Sequence, residues 1–174
     1  MRTLILLSLV IAAAGSTPAL TLTLSDWRLA SSVNVSAPGS VVSTTAFNSS
    51  GWFHATLPCT VAACLLQNGL FPDPFFGANL YTIESSLFDV PWWYRAEFTL
   101  PRNATPPGST VVLQFHGLNY RGDIWVNGVV VATNATTVGA FRHFTIDVST
   151  LVATPDGHSA IAVLVSRPHD LAIE

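Results

Sequence analysis

The 174-residue chain is 49% hydrophobic and only 10% charged, contains no lysine, and has a formal net charge of −3. So sparse and slightly acidic a charge excludes long-range electrostatic capture of nucleic acid or anionic lipid, and uncharged polar ligands suit it better. Its two cysteines are too few to hold zinc, and no histidine stands at a matching spacing.

The first residues, MRTLILLSLVIAAAGSTPA, combine one positive charge at Arg2, an apolar run from Leu4 to Ala14 and small residues from Gly15 to Ala19. This pattern predicts a secretory signal peptide over residues 1–19. The run is shorter than the roughly 20 apolar residues that span a bilayer, so a secreted chain without a membrane anchor is expected. Cleavage near Ala19 leaves about 155 residues, enough for one domain over residues 20–174 with a single core.

LTLSDWRLAS is the first extended segment, and the Ser/Asn/Gly/Pro-rich stretch from Ser31 to Gly51 reads mostly as loop. GWFHATLP predicts a short strand. TVAACLLQNG is the one helix candidate, with Val61, Cys64 and Leu65 at helical spacing and Gly69 at its C-terminal end. In an oxidising compartment Cys59 and Cys64 invite a disulfide. On one helix they would stand about 7.5 Å apart along the axis, too far for a bridge, so pairing requires Cys59 to lie outside the helix.

The turn-rich connector FPDPFFGANLYT is expected to lack regular structure. From Pro91 the pattern changes to period two. In WWYRAEFTLP, Trp92, Tyr94, Ala96, Phe98 and Leu100 share one face and Trp93, Arg95, Glu97 and Thr99 the other, which predicts a half-buried strand. STVVLQFHG, FRHFTIDV and SAIAVLVSRP repeat the alternation. LNYRGDIWVNG alternates Ile124 and Val126 with Asp123 and Trp125 before Asn127-Gly128, a strong hairpin signal, and VVVAT is the returning strand. Short strands, one short helix and no βα repeat predict an all-β antiparallel sandwich. Arg121-Gly122-Asp123 lies within a strand, so its adhesive reading is set aside for a scaffold role.

Acceptor patterns for N-glycosylation occur at Asn34, Asn48, Asn103 and Asn134, each predicting a surface loop in an exported eukaryotic chain. The histidines His54, His116, His143, His158 and His169 are scattered one per segment and predict no shared metal. No G-x-S-x-G elbow, phosphate-cradling loop or H-E-x-x-H pattern occurs, so neither metal nor cofactor is expected.

Five pieces taken in order resemble the N-terminal sugar-binding domain of glycoside hydrolase family 2, most nearly its exo-β-D-glucosaminidase and β-mannosidase-like members. They are LPCTVAACLLQNGLFPDPFFGANL, VPWWYRAEFTLP, LQFHGLNYRGDIWVNG, GAFRHFTIDVSTL and AIAVLVSRP, covering about Trp27 to Pro168. The resemblance implies a jelly-roll sandwich of the galactose-binding-domain type, standing before immunoglobulin-like domains and a (β/α)8 barrel that carries the catalytic carboxylates. Cys59 departs from the glycine usual after the proline.

Retaining glycosidic hydrolysis needs two carboxyl groups about 5 to 5.5 Å apart. The glutamates here are Glu84 in the connector, Glu97 beside Arg95 as an expected surface ion pair, and Glu174 at the end. A barrel needs around 250 residues, so no catalytic residue is assigned within this stretch. The expectation is a non-catalytic carbohydrate-binding or scaffold domain, partnered by a catalytic barrel encoded beyond it. The alternative is a free-standing lectin-like module without hydrolase activity.

The resemblance places the connector near the barrel's active-site mouth, where Asp73 and Asn79 could bond sugar hydroxyls. The competing reading is that Asp73 closes a turn before Pro74 and Asn79 caps the loop. Trp93 could stack on a sugar ring or pack against a neighbouring domain.

Overall fold

The computed structural model describes residues 5–13, 20–101, 109–152 and 157–167. Its strands in chain order are β1 (Ile5–Ala13), β2 (Leu20–Thr23), β3 (Trp27–Ser31), β4 (Phe53–Ala55), β5 (Trp92–Thr99), β6 (Ser109–Leu118), β7 (Arg121–Val126), β8 (Val129–Ala132), β9 (Phe144–Asp147) and β10 (His158–Ser166). They form two antiparallel sheets, ordered β2-β1-β6-β9 and β4-β3-β5-β10-β7-β8. The all-β antiparallel sandwich is therefore observed. Among the described residues three short helices accompany it where one was expected: α1 (Gly39–Val42), α2 (Val61–Gln67) and α3 (Ser149–Val152).

The period-two pattern explains the core. Tyr94, Ala96 and Phe98 of β5, Val111, Leu113 and Phe115 of β6, and Ile161 and Val163 of β10 are all buried. Each large apolar side chain removed from water contributes about 1.5–3 kcal/mol. Polar atoms carried inside find partners. Trp27 Nε1 donates to the Leu24 carbonyl at 2.9 Å and Tyr94 OH to the Cys59 carbonyl at 3.5 Å. Burial pushes the Tyr94 phenol well above its ordinary value, so it remains a protonated donor.

Two turns follow from local chemistry. Asn127 (φ 47°) and Gly128 (φ 86°) both take left-handed conformations, as a tight two-residue hairpin requires. The Asn127 amide nitrogen also donates to the Leu151 carbonyl at 2.7 Å and to Ser159 Oγ at 3.1 Å, and its oxygen accepts from Ala160 N–H at 2.8 Å. One side chain thereby fastens the hairpin to α3 and β10. At α2, Thr60 is the N-cap, its hydroxyl accepting from Ala63 N–H at 3.0 Å. Gly69 (φ 72°) ends the helix, with Leu70 N–H returning to the Leu65 carbonyl.

Because Thr60 is the cap, Cys59 stands outside the helix, and the condition for pairing is met. Cys59 and Cys64 form a disulfide with Cα atoms 5.9 Å apart. Closing so short a loop is expected to stabilise the fold by about 2 kcal/mol on the chain-entropy scale. Urea denaturation with and without a phosphine reductant checks this, and coincident midpoints would contradict it.

Three expectations are revised. The strand at 92–99 is buried on both faces as far as Ala96, while Glu97 and Thr99 reach solvent, because residues 32–52 cover the sheet's outer face over Trp93 and Arg95. That stretch, read mostly as loop, holds a 3-10 turn at Ser32–Asn34 and α1. Gly39 is required there: a Cβ would collide with the Trp125 ring. The connector, expected to be irregular, contains 3-10 turns at Asn79–Thr82 and, just beyond it, Ser85–Phe88. Apart from these, residues Ile5–Ala13 of the expected leader form β1 in the full chain, paired along β6 from Leu118 to Ser109, and the leader expectation stands. An apolar run suits a strand and a leader alike.

Candidate functional site

The connector between α2 and β5 brings two sequence-predicted residues together. Asp73 Oδ1 accepts from Phe75 N–H at 2.9 Å, closing a turn across Pro74, and Asn79 Nδ2 donates to the Asp73 carbonyl at 2.9 Å. Both side chains therefore shape the loop. Trp92 Nε1 donates to the Leu87 carbonyl at 2.8 Å, and Arg167 pairs with Asp89 at 2.6 Å, tying the connector to β5 and to the end of β10.

The shaped loop presents aromatic surface. Phe75, Phe76 and Tyr81 are 91%, 76% and 89% exposed, and Leu70 and Leu80 lie beside them in sequence and are also exposed. Sequence reasoning did not single out these side chains. The signal was there in Phe75-Phe76 set between Pro74 and Gly77, where a turn leaves little room to bury two rings.

Trp93 is not part of such a surface. It is 4% exposed, with its ring centroid 5.4 Å from that of Trp125, beneath the covering segment. It is a buried side chain of the domain's own second cluster, with Val42 and Ala162. The stacking and neighbouring-domain roles weighed for it both give way to this cover.

Arg95 is likewise internal, at 2% exposure, and the expected surface pair with Glu97 is corrected accordingly. Its Nε donates to the Val42 carbonyl at 2.8 Å, Nη1 to Ser49 Oγ at 3.0 Å, and Nη2 to the Thr44 carbonyl at 2.8 Å and Glu97 Oε1 at 2.6 Å. The other Glu97 oxygen lies 3.0 Å from His158 Nε2. Arg95 and Glu97 form one end of a cleft of about 290 Å³ that Asp26, Arg28, Phe47 and Asn48 also line. Asp26 Oδ1 stands 3.8 Å from Arg28 Nε and 3.4 Å from His54 Nδ1.

The remaining candidates fall apart in space. Arg121-Gly122-Asp123 lies inside β7, which pairs with β10 on one side and β8 on the other. Asp123 accepts from Asn134 N–H at 2.8 Å and from Asn134 Nδ2 at 3.3 Å, so its carboxylate holds a neighbouring turn. His116 and His143 pack edge to face with centroids 5.0 Å apart. Among the described residues no three His, Cys, Asp or Glu side chains gather closely enough to hold a metal ion, and no helix is long and apolar enough to cross a membrane. Asn34, Asn48 and Asn134 are exposed. Asn103, His169 and Glu174 lie outside the described residues.

Comparison with known proteins places this arrangement. A family model described as glycosyl hydrolase 2 galactose-binding domain-like matches residues 27–173. The exo-β-D-glucosaminidase of Streptomyces avermitilis is 34% identical over 90% of the chain, and the mannosylglycoprotein endo-β-mannosidase of Lilium longiflorum is 31% identical over 83%. The crystal structure of the exo-chitosanase CsxA of Amycolatopsis orientalis superposes with a TM-score of 0.74 at 32% identity, over 92% of this chain and 17% of that one. The chain spans 16% and 15% of the length of the Streptomyces and Lilium relatives.

Proposed function

The chain belongs to the glycosyl hydrolase 2 galactose-binding domain-like family, and from that premise we propose that it is the non-catalytic N-terminal domain of a secreted glycosidase. Its parent would hydrolyse β-linked glucosamine or mannose units, and the module would bind carbohydrate and buttress the catalytic barrel. The observation that carries this reading is the connector, whose hydrogen-bonded loop holds Phe75, Phe76 and Tyr81 in solvent. Exposed aromatics gathered on one loop of the sequence suit a protein or sugar contact better than water. Glu97, the glutamate nearest a cleft, is engaged by Arg95 and His158, an arrangement that suits a structural carboxylate. Export with loss of residues 1–19 completes the reading.

A chimera tests it. This module replaces the equivalent stretch of the Amycolatopsis orientalis exo-β-D-glucosaminidase, with and without Phe75→Ser, Phe76→Ser and Tyr81→Ser together. The unaltered module is expected to support hydrolysis of a chromogenic β-glucosaminide, and the triple variant to lose at least about tenfold, the equivalent of 1.4 kcal/mol. Surface changes of this kind move stability by about 0.5 kcal/mol or less each, so the isolated module should melt as before. Equal activity of the two chimeras would remove the buttressing role.

The same exposed aromatics favour a second reading, a free-standing lectin-like module, since a ring face stacks on a sugar face. Glycan-array binding by the purified chain, abolished by the triple substitution, would favour it. No binding at millimolar sugar would dispose of it.

A further inference from the structure

Asn48 stands at the junction of two clefts, lining both the polar one of about 290 Å³ and a second of about 410 Å³ beside Trp52. It is exposed and opens the acceptor pattern Asn48-Ser49-Ser50. Its side-chain oxygen accepts from Ser50 N–H at 2.9 Å, and its amide nitrogen is the atom to which a glycan is joined. Ser49 is turned inward and accepts from Arg95 Nη1 at 3.0 Å, so the loop is anchored and Asn48 keeps its place on the rim. Asn134 differs: its amide nitrogen is engaged with Asp123.

We infer that Asn48 carries a glycan whose first sugar is seated in the polar cleft, against Asp26, Arg28 and Glu97. This rests on the export proposed above, through a route that glycosylates. The chemistry of the walls suits a sugar. Hydroxyl and acetamide groups both donate and accept, and the cleft offers carboxylate acceptors and a guanidinium donor. Asp26, Arg28 and Glu97 keep 70%, 38% and 35% of their side-chain surface in solvent, so a ring can reach them. The volume lies at the lower end of ligand pockets, roughly 300 Å³, which suits one ring. The second cleft is also lined by Asn34, another acceptor asparagine, so a glycan there would contest that space.

Tethering makes a weak site sufficient. A sugar linked through Asn48 is held at an effective concentration on the order of millimolar or above, so the cleft fills even where a dissolved monosaccharide binds poorly. Two consequences follow: the attached sugar stabilises the covering segment, and it excludes other saccharides from the cleft.

The test is a double-substitution cycle on the full chain secreted from a glycosylating host. Ser50→Ala removes the acceptor pattern but keeps the backbone N–H of the turn, and Arg28→Ala alters the cleft wall. Mass spectrometry is expected to find Asn48 modified. Each substitution alone should lower Tm by about 2–4 °C, whereas Arg28→Ala in the Ser50→Ala background should lower it by less than about 1 °C, the coupling that contact predicts. Additive effects with Asn48 modified would overturn the seat and leave export intact, as would modification at Asn34 or Asn134 with Asn48 bare. A secreted product bare at every acceptor would overturn the glycan itself, and failure of secretion would take the export reading with it.

Discussion

Arg95→Ala is expected to lower the free energy of unfolding by about 3 kcal/mol or more, one of the two largest effects predicted for this domain. The guanidinium sits under residues 32–52 and bonds the Val42 and Thr44 carbonyls, the Ser49 hydroxyl and the Glu97 carboxylate. Truncation strands several acceptors at once, and a buried group left without its partner costs about 1–3 kcal/mol. Arg95→Lys should recover little of this, because an ammonium cannot reproduce the planar fork that reaches two loop carbonyls together. Glu97→Gln is the control. Its side chain is 35% exposed and Arg95 keeps its other partners, so about 1 kcal/mol or less is expected. Urea denaturation at neutral pH reads all three. The pinning role fails if Arg95→Ala unfolds within 1 kcal/mol of the unaltered chain, a threshold set by the size of an ordinary surface effect, about 0.5 kcal/mol.

The second large effect concerns the N-terminus. Loss of residues 1–19 on export would remove β1, which lies between β2 and β6. Among the described strands β2 pairs with β1 alone, and β6 keeps only β9, which meets it over Val112–Phe115. With each net backbone hydrogen bond contributing about 1 kcal/mol, several kcal/mol are at stake. Processing should leave β6 with an open edge, a place where another extended segment can add. The processed product is expected to exchange its β6 amides faster than the full chain, and a synthetic peptide spanning residues 5–13 should restore protection. N-terminal sequencing supplies the premise. A product that starts near residue 20 yet protects β6 as fully as the intact chain would refute the structural part of this prediction.

The leader question shows where local pattern stops. A short apolar run satisfies both the export pattern and the demands of a strand paired on both sides, since neither depends on more than hydrophobicity and length. The strand at 92–99 shows a related limit. Alternation identified Trp92, Tyr94, Ala96 and Phe98 as the inward face, and they are buried. It also assigned Trp93, Arg95 and Glu97 correctly to one common face. What it lacked was the cover, because residues 32–52 reach that face from forty or more positions away.

The candidate site was legible to the same degree. Asp73 and Asn79 do meet, in the loop-closing arrangement that was the weighed alternative, while the exposed rings beside them went unremarked. The cleft around Asp26, Arg28, Asn48 and Glu97 joins segments separated by some seventy positions, and no motif connects them.

By itself, then, the amino-acid order determined the strands from Trp27 onward, the hairpin at Asn127-Gly128, the bounds of α2 and the family pattern, all of which are written in short-range periodicity and in the φ preferences of single residues. Tertiary structure alone decided that the second face of β5 is covered at Trp93 and Arg95, and which aromatics face solvent. Each of those outcomes depends on what packs over a residue, and that cover comes from chain distant in sequence and close only after folding.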